Sequence, residues 1–173
     1  MNKSIIAEKR ALSPVIATVI LISVTIVVAV SVAYWMGSIA GGYTAFEQIE
    51  LPTVYAKYVS DVDPGTDEAP GWLVYINLKN TGSADATIDS IFINAVPITD
   101  YTSGVWLSTD GGTTFSTPTS IDIKVSKGGT ASIVIAIEDD DGETVEGATS
   151  GTRIDIKLHS AAGRDYPAQV KLP

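Results

Sequence analysis

Clusters of carboxylates are the part of this sequence that comes closest to a chemical site. One runs from Glu138 to Glu143 and another from Asp61 to Glu68, and carboxylate oxygens at close spacing are the ligands that Ca²⁺ prefers. On the EF-hand template with Gly142 at position six, however, Ile137 and Ala148 occupy positions one and twelve, which need carboxylates. We therefore predict a solvated Asp-Gly turn after Ile137 and assign no metal site. Weak calcium binding of another kind is the alternative for both runs.

Catalytic chemistry has little support elsewhere in the chain. His159 is the only histidine, and it falls in a predicted strand, where a packed or exposed strand residue is expected more often than a base. There is no cysteine, no Gly-Lys-Ser/Thr phosphate loop and no histidine-rich metal spacing. The sequence predicts no catalytic residue and no cofactor, and hence a protein that is not an enzyme.

The segment from Ser108 to Phe115 has the order Ser-x-Asp-x-Gly-x-Thr-aromatic. It resembles the Asp-box of many extracellular β-proteins. That resemblance implies that Asp110 caps a tight hairpin through the backbone, as in an Asx turn, while Phe115 packs beneath it. The segment predicts a β-hairpin and not a glycosidase site.

The longest element of the sequence is the stretch from Ala11 to Phe46, which has no charged residue between Arg10 and Glu47. As a helix it would be roughly 54 Å long, well beyond the ~30 Å hydrocarbon core of a bilayer. A signal peptide has a much shorter apolar core, and nothing later in the sequence is suited to cover a buried helix. A plain membrane anchor is the main alternative to a helix that also projects from the bilayer.

The residues flanking this stretch predict its orientation. Lys3, Lys9 and Arg10 precede it, and the positive-inside rule then keeps the N-terminus cytoplasmic. Tyr34-Trp35 follows about 34 Å along a helix from its start, where an aromatic belt would meet the outer interface. The chain from about Met36 onward is therefore predicted to lie outside.

Small residues recur at every fourth position of the stretch. Such a row lets helix backbones approach closely in lipid or in a bundle. It consists of Thr25, Ala29, Ala33, Gly37 and Gly41. We refer to these five residues as the small-residue row and predict that it packs against neighbouring helices.

The order Lys9-Arg10 followed by Ala-Leu-Ser-Pro-Val-Ile at residues 11–16 resembles the N-terminus of archaeal type IV pilin-like proteins, which carry a class III signal peptide. The resemblance implies that a prepilin peptidase cuts between Arg10 and Ala11. It also implies that an assembly ATPase and a membrane platform protein move the helix from the membrane into a filament. Bacterial type IV pilins carry Glu at the fifth mature position, where this chain has Val15, which favours the archaeal branch.

The charge of the chain excludes one class of partner. Residues 1–10 hold three of the 11 basic and one of the 20 acidic residues, so the chain without them has a net charge of −11 instead of −9. An acidic surface without a basic cluster argues against nucleic acid as a partner. The absence of cysteine means that stability depends on the core and the assembly instead of disulfides.

From Leu51 the apolar residues alternate with polar ones, and turn residues separate short runs. The predicted fold class is α+β, a long N-terminal hydrophobic helix followed by an all-β, immunoglobulin-like sandwich head. The predicted domains are a leader at 1–10, the transmembrane and filament-core helix at 11–49 and an extracellular head at 50–173. Strands are predicted at 54–60, 72–80, 86–94, 119–125, 130–137, 153–160 and 168–172, with a weaker pair near Val105 and Phe115. The segment Asn80–Ser83 is predicted to be a turn between two strands, in which Gly82 is able to take positive φ.

These patterns together predict a structural subunit of an extracellular filament of the type IV pilus kind, serving surface adhesion or cell–cell contact. The chain would be a membrane protein before assembly and a homopolymer at the cell surface afterwards. One alternative is an archaellin, the subunit of a swimming filament, although the Ser-Pro-Val-Ile order at residues 13–16 resembles the pilins more. The other is a membrane-anchored module that binds a surface sugar or protein.

Overall fold

The computed structural model describes residues 14–62, 69–140 and 142–173. The chain divides into two compact units, a helical one that ends at Thr44 and a β-rich head of Ala45–Pro173. One long helix followed by antiparallel sheets confirms the predicted α+β class.

The helix, α1, spans Pro14–Thr44. Pro14 lies in its first turn, where a missing N–H has no intrahelical partner to lose. The helix ends five residues before the predicted boundary at 49, because the next residues bond to the head. The Phe46 carbonyl accepts hydrogen bonds from the Ser83 and Ala84 amides at 2.9 and 3.0 Å, and the first strand begins at Ile49.

The head consists of two antiparallel sheets. The first has the strand order β1-β2-β7-β5, and the second has β4-β3-β8-β9 with β6 also paired to β3. The strands are β1 (Ile49–Val59), β2 (Gly71–Asn80), β3 (Ala86–Ile93), β4 (Val96–Pro97), β5 (Val105–Ser108), β6 (Ile123–Val125), β7 (Thr130–Glu138), β8 (Arg153–Ser160) and β9 (Asp165–Lys171), and a 3₁₀ helix at Ile98–Asp100 follows β4.

Alternate residues of the central strands fill the space between the sheets. In β2 the inward positions are Trp72, Val74, Ile76 and Leu78, all at most 1% exposed, and they share one apolar cluster with isoleucines of β3, β7 and β8. Since successive side chains of a strand point to opposite faces, the period of two that predicted these strands is also what builds the core.

The outer face of the first sheet carries a second, smaller apolar cluster. Val62, Ala69 and Ala136 are buried there, and Phe115 and Trp106 pack against them. Val62, Ala69 and the hairpin after β5 therefore cover part of this face, including Val59 of β1 and Leu73 of β2.

Most predicted strands are present, with different ends. The prediction at 119–125 is too long, because only Ile123–Val125 pairs with β3. The strand predicted at 168–172 begins earlier, at Asp165, where it pairs with His159 of β8. The weak pair near Val105 and Phe115 forms as β5 and a single bridge between Leu107 and Ser116.

Gly82 is able to take positive φ but does not use it in this turn. A Cβ at this position would lie 2.5 Å from the Phe46 carbonyl oxygen and 2.6 Å from the Gln48 amide nitrogen. Glycine is needed here because the turn after β2 lies directly against the chain that enters the head.

The two-residue turn between β3 and β4 contains two residues other than glycine that have positive φ. Asn94 and Ala95 have φ of 48° and 69°, as a type I′ turn requires. Asn tolerates this region, but a Cβ there costs an alanine about 1–2 kcal/mol. We expect Ala95→Gly to raise the free energy of unfolding by about 0.5–1 kcal/mol, the strain relief less the added chain entropy.

Thermal unfolding of the detergent-solubilised chain measures this effect. The matched control is Ala161→Gly, since Ala161 is an exposed turn residue without positive φ, and that change should be neutral or destabilising. Equal effects of the two substitutions would mean that Ala95 stores no strain.

Candidate functional site: the apolar helix

The surface of α1 is apolar on every side. No residue of Pro14–Thr44 is buried, and Val, Ile and Leu side chains face outward along its whole length. By length and composition it is the one helix among the described residues that could cross a membrane. Its 31 residues extend roughly 46 Å, so that about 16 Å of apolar helix exceeds the ~30 Å hydrocarbon core.

Four hydroxyl groups in the first two thirds of the helix are bonded within it. Thr18, Ser23, Thr25 and Ser31 each donate to a main-chain carbonyl three or four residues earlier, at 2.7–3.0 Å. An unbonded hydroxyl is costly in an apolar medium, so this internal bonding makes the four residues compatible with lipid and with a dry helical bundle.

All five members of the small-residue row lie in the helix and are exposed. Residues four apart are offset by about 40° at 3.6 residues per turn, so the row winds by roughly 160° between Thr25 and Gly41. It therefore follows an i±4 groove inclined to the axis and not a straight seam. A partner packed along such a groove crosses at an angle.

The glycines of the helix have no reason for their size within the chain. A Cβ at Gly37, Gly41 or Gly42 would meet nothing within 4 Å. In the head, by contrast, a Cβ at Gly71 would lie 2.2 Å from the Ile137 carbonyl oxygen. Glycine in a helix interior costs about 0.5–1 kcal/mol relative to alanine, and no contact among the described residues explains why glycine occupies these positions.

The predicted cleavage site, Arg10 and Ala11, lies outside the described residues. The signal for it remains the residue order alone, and cleavage there stays a prediction.

The Asp-box geometry predicted around Asp110 is confirmed. Its Oδ1 accepts hydrogen bonds from the Thr113 and Thr114 amides at 2.9 and 3.0 Å and from the Ser108 hydroxyl at 2.5 Å. Its Oδ2 accepts one from the Thr114 hydroxyl at 2.6 Å. The hydrogen bonds from Ser108 and Thr114 hold the pKa of the Asp110 carboxyl well below its usual range. Every polar contact of this carboxylate is local, so its role is to close the hairpin.

This assignment predicts a pH dependence for the hairpin. A depressed folded pKa gives stabilisation that is complete above the pKa of an unfolded aspartate, ~3.9, and is lost as pH falls through the folded value. We expect the amide protection factors of Thr113 and Thr114 to be constant from pH 7 to about 4 and to fall only below that. In Asp110→Ala they should be low throughout. Asp122→Ala, which removes only an exposed ion pair with Lys124, should leave them unchanged.

The acidic runs show no cation site in the parts that the structure describes. No group of three or more His, Cys, Asp or Glu is arranged to hold a metal among residues 14–62, 69–140 and 142–173. In the turn after β7, Asp140 Oδ2 accepts a hydrogen bond from the Thr144 amide at 2.8 Å, as a turn-closing residue does. Asp63 to Glu68, and Asp141, lie outside the described residues.

His159 is half-exposed and paired on the surface. Its Nδ1 lies 2.6 Å from Asp165 Oδ1, directly across the β8–β9 ladder. This hydrogen bond is the main reason that the pKa of Asp165 is lowered. His159 is thus a partly exposed strand residue, as predicted, and the pair joins the two strands of a hairpin.

Glu47 is a structural residue that the sequence analysis missed. Glu47 is only 7% exposed. Its Oε1 accepts hydrogen bonds from the Ser160 and Tyr166 hydroxyls. Burial, with the nearby Glu47 charge, raises the pKa of Tyr166. The sequence offered one indication of this role, because Glu47 is the first charged residue after the apolar stretch. Glu47 fixes the chain to the second sheet where the head begins.

No protein-family model matches the chain, and neither does any curated protein. The solved structures to which it is similar include two filaments. The archaeal flagellum of Methanospirillum hungatei strain JF1 is 14% identical, with 93% of this chain and 94% of that chain covered and a TM-score of 0.39. The Iho670 flagellar-like filament is 13% identical, with 92% and 98% covered and a TM-score of 0.39. A likeness at this level does not assign a function.

Proposed function

We propose that this chain is the structural subunit of an extracellular, type IV pilus-like filament. The observation that carries the proposal is a charge-free helix, longer than a bilayer is thick, with glycines whose size nothing in the chain requires. A plain anchor needs an apolar span but no access for a second backbone. A filament of packed helices needs both.

In the proposed mechanism the apolar helix leaves the lipid and packs against the helices of other copies. Cleavage between Arg10 and Ala11 by a prepilin peptidase would free the helix, and an assembly ATPase with its membrane platform would move it from lipid into a bundle of identical helices. Lipid and the bundle are similarly apolar, so the favourable free energy must come from close packing along the small-residue row and from contacts between heads. The contact between copies is heterologous and does not close, so it generates a helical filament.

A pilus is proposed over a swimming filament because of the Ser-Pro-Val-Ile order at residues 13–16. The heads would form the outer coat and provide surface adhesion or cell–cell contact. Cells that lack the chain should then lose attachment and keep motility, whereas a swimming filament would show the reverse.

Immunogold labelling of an epitope tag placed after Pro173, on intact cells, tests the proposal. We expect label along filaments that shearing removes from the cells. Label confined to the cell envelope, with no filament marked, would favour the membrane-anchored binding module instead.

A further inference from the structure

On the outer face of the first sheet, Thr53, Tyr55 and Lys57 of β1 are exposed, and Tyr75 and Asn77 of β2 are partly exposed. Tyr55 and Tyr75 lie directly opposite each other there, with ring centroids 4.9 Å apart and planes 7° from parallel. Lys57 Nζ lies 5.7 and 5.6 Å from the two ring centroids, within the range of a cation–π contact. We call these three residues, with the neighbouring Thr53 and Asn77, the aromatic patch.

The aromatic patch has an unusual charge for this chain. The protein has 20 acidic and 11 basic residues, yet residues 53–59, 73–79 and 130–137 contain no carboxylate. Lys57 forms no ion pair among the residues that the structure describes. Tyrosines beside a cation that has no carboxylate partner among the described residues make up the kind of surface that binds an acidic protein segment.

A segment of that kind lies elsewhere on the same head. The described residues of the turn between β7 and β8 include four carboxylates, Asp139, Asp140, Glu143 and Glu146, and no basic residue. Glu143 and Glu146 are exposed and form no ion pair within the described part of the chain. We call the described residues of this turn the acidic turn; its Val145 and Ala148 lie in the core, whereas the aromatic patch lies on a sheet face.

We propose that the aromatic patch of one head binds the acidic turn of a second copy of this chain. The inference rests on the proposed filament function and names the head contact within it. In a filament this contact repeats from one copy to the next, as a heterologous interface does when it does not close. The tyrosine rings provide apolar area, and Lys57 pairs with Glu143 or Glu146 at the rim, where salt weakens the contact.

Cysteine crosslinking tests this contact, since the chain has no cysteine of its own. Thr53→Cys lies beside the tyrosines, and Glu146→Cys lies in the acidic turn, so both leave Lys57 and Glu143 in place. Oxidation or a short thiol-reactive crosslinker applied to sheared filaments of the double variant should give a ladder of multimers. Thr119→Cys combined with Glu146→Cys is the matched control, because Thr119 is exposed but lies off the patch, and it should give no ladder.

Electron microscopy of the same samples distinguishes failure of the head contact from failure of the filament function. Filaments without a ladder would overturn the head contact and leave the filament function intact, whereas a lack of filaments from the unmodified chain would overturn the function itself. Charge reversal gives a second measurement. Lys57→Glu should reduce filament yield at least tenfold, and Glu143→Lys in the same chain should restore most of it. Failure of that rescue in filament-forming cells would contradict the pairing.

Discussion

A Gly37→Leu variant should enter the membrane normally and yield at least tenfold fewer filaments than the unmodified chain. Leucine favours membrane insertion, and a Cβ at residue 37 meets nothing within the chain, so the monomer should tolerate the change. In a filament the added side chain would hold neighbouring helices apart. Overpacking typically costs 1–3 kcal/mol, and ~1.4 kcal/mol corresponds to a tenfold change in an equilibrium constant. The measurement is the ratio of sheared to membrane-bound protein.

The matched control is Gly37→Ala. It adds one methyl group and improves helix propensity, so filament yield should remain within a few-fold of the unmodified chain. Ala33→Leu should behave like Gly37→Leu, because both residues belong to the small-residue row. Filaments of normal length and yield from both leucine variants would show that the row does not pack against a neighbour.

A Gly71→Ala variant should lose much of the stability of the head. A Cβ there would lie 2.2 Å from the Ile137 carbonyl oxygen and 2.8 Å from Val62 Cγ2. The strand pair between β2 and β7 would have to separate where Gly71 lies opposite Glu138. We expect the free energy of unfolding to fall by about 3 kcal/mol or more, which lowers Tm by roughly 10 °C for a domain of this size.

Gly128→Ala is the control for this change. Gly128 has φ of +72° but open space around its Cβ position, so only the backbone strain of about 1–2 kcal/mol applies. Differential scanning calorimetry of the two variants distinguishes a clash from strain. A Gly71→Ala loss no larger than that of Gly128→Ala would contradict the close approach of the two strands.

The helix and the central strands could be predicted because their signals are local. A long run without charge determines α1, and the alternation of Trp72, Val74, Ile76 and Leu78 determines which side of β2 faces the core. The end of the helix could not be predicted in the same way. It depends on bonds from Phe46 and Glu47 to residues far along the chain, in the β2–β3 turn and in β8.

The same limit applies to Gly82 and to the aromatic patch. The size of Gly82 is set by the backbone of residues 46–48, which a turn motif does not reveal. Tyr55 and Tyr75 become a stacked pair only through the register of β1 on β2. In β3, a shift in register between Ile88 and Ser90 lets Ile88 and Ile91 both face the core, although an odd spacing places them on opposite faces of a regular strand.

The N-terminal residue of protein sheared from intact cells tests the central claim most directly. The filament account predicts Ala11, in material that electron microscopy shows to be filamentous. Recovery of the chain only in the membrane fraction, with Met1 as its first residue, would contradict both cleavage and assembly and would leave a membrane-anchored surface domain.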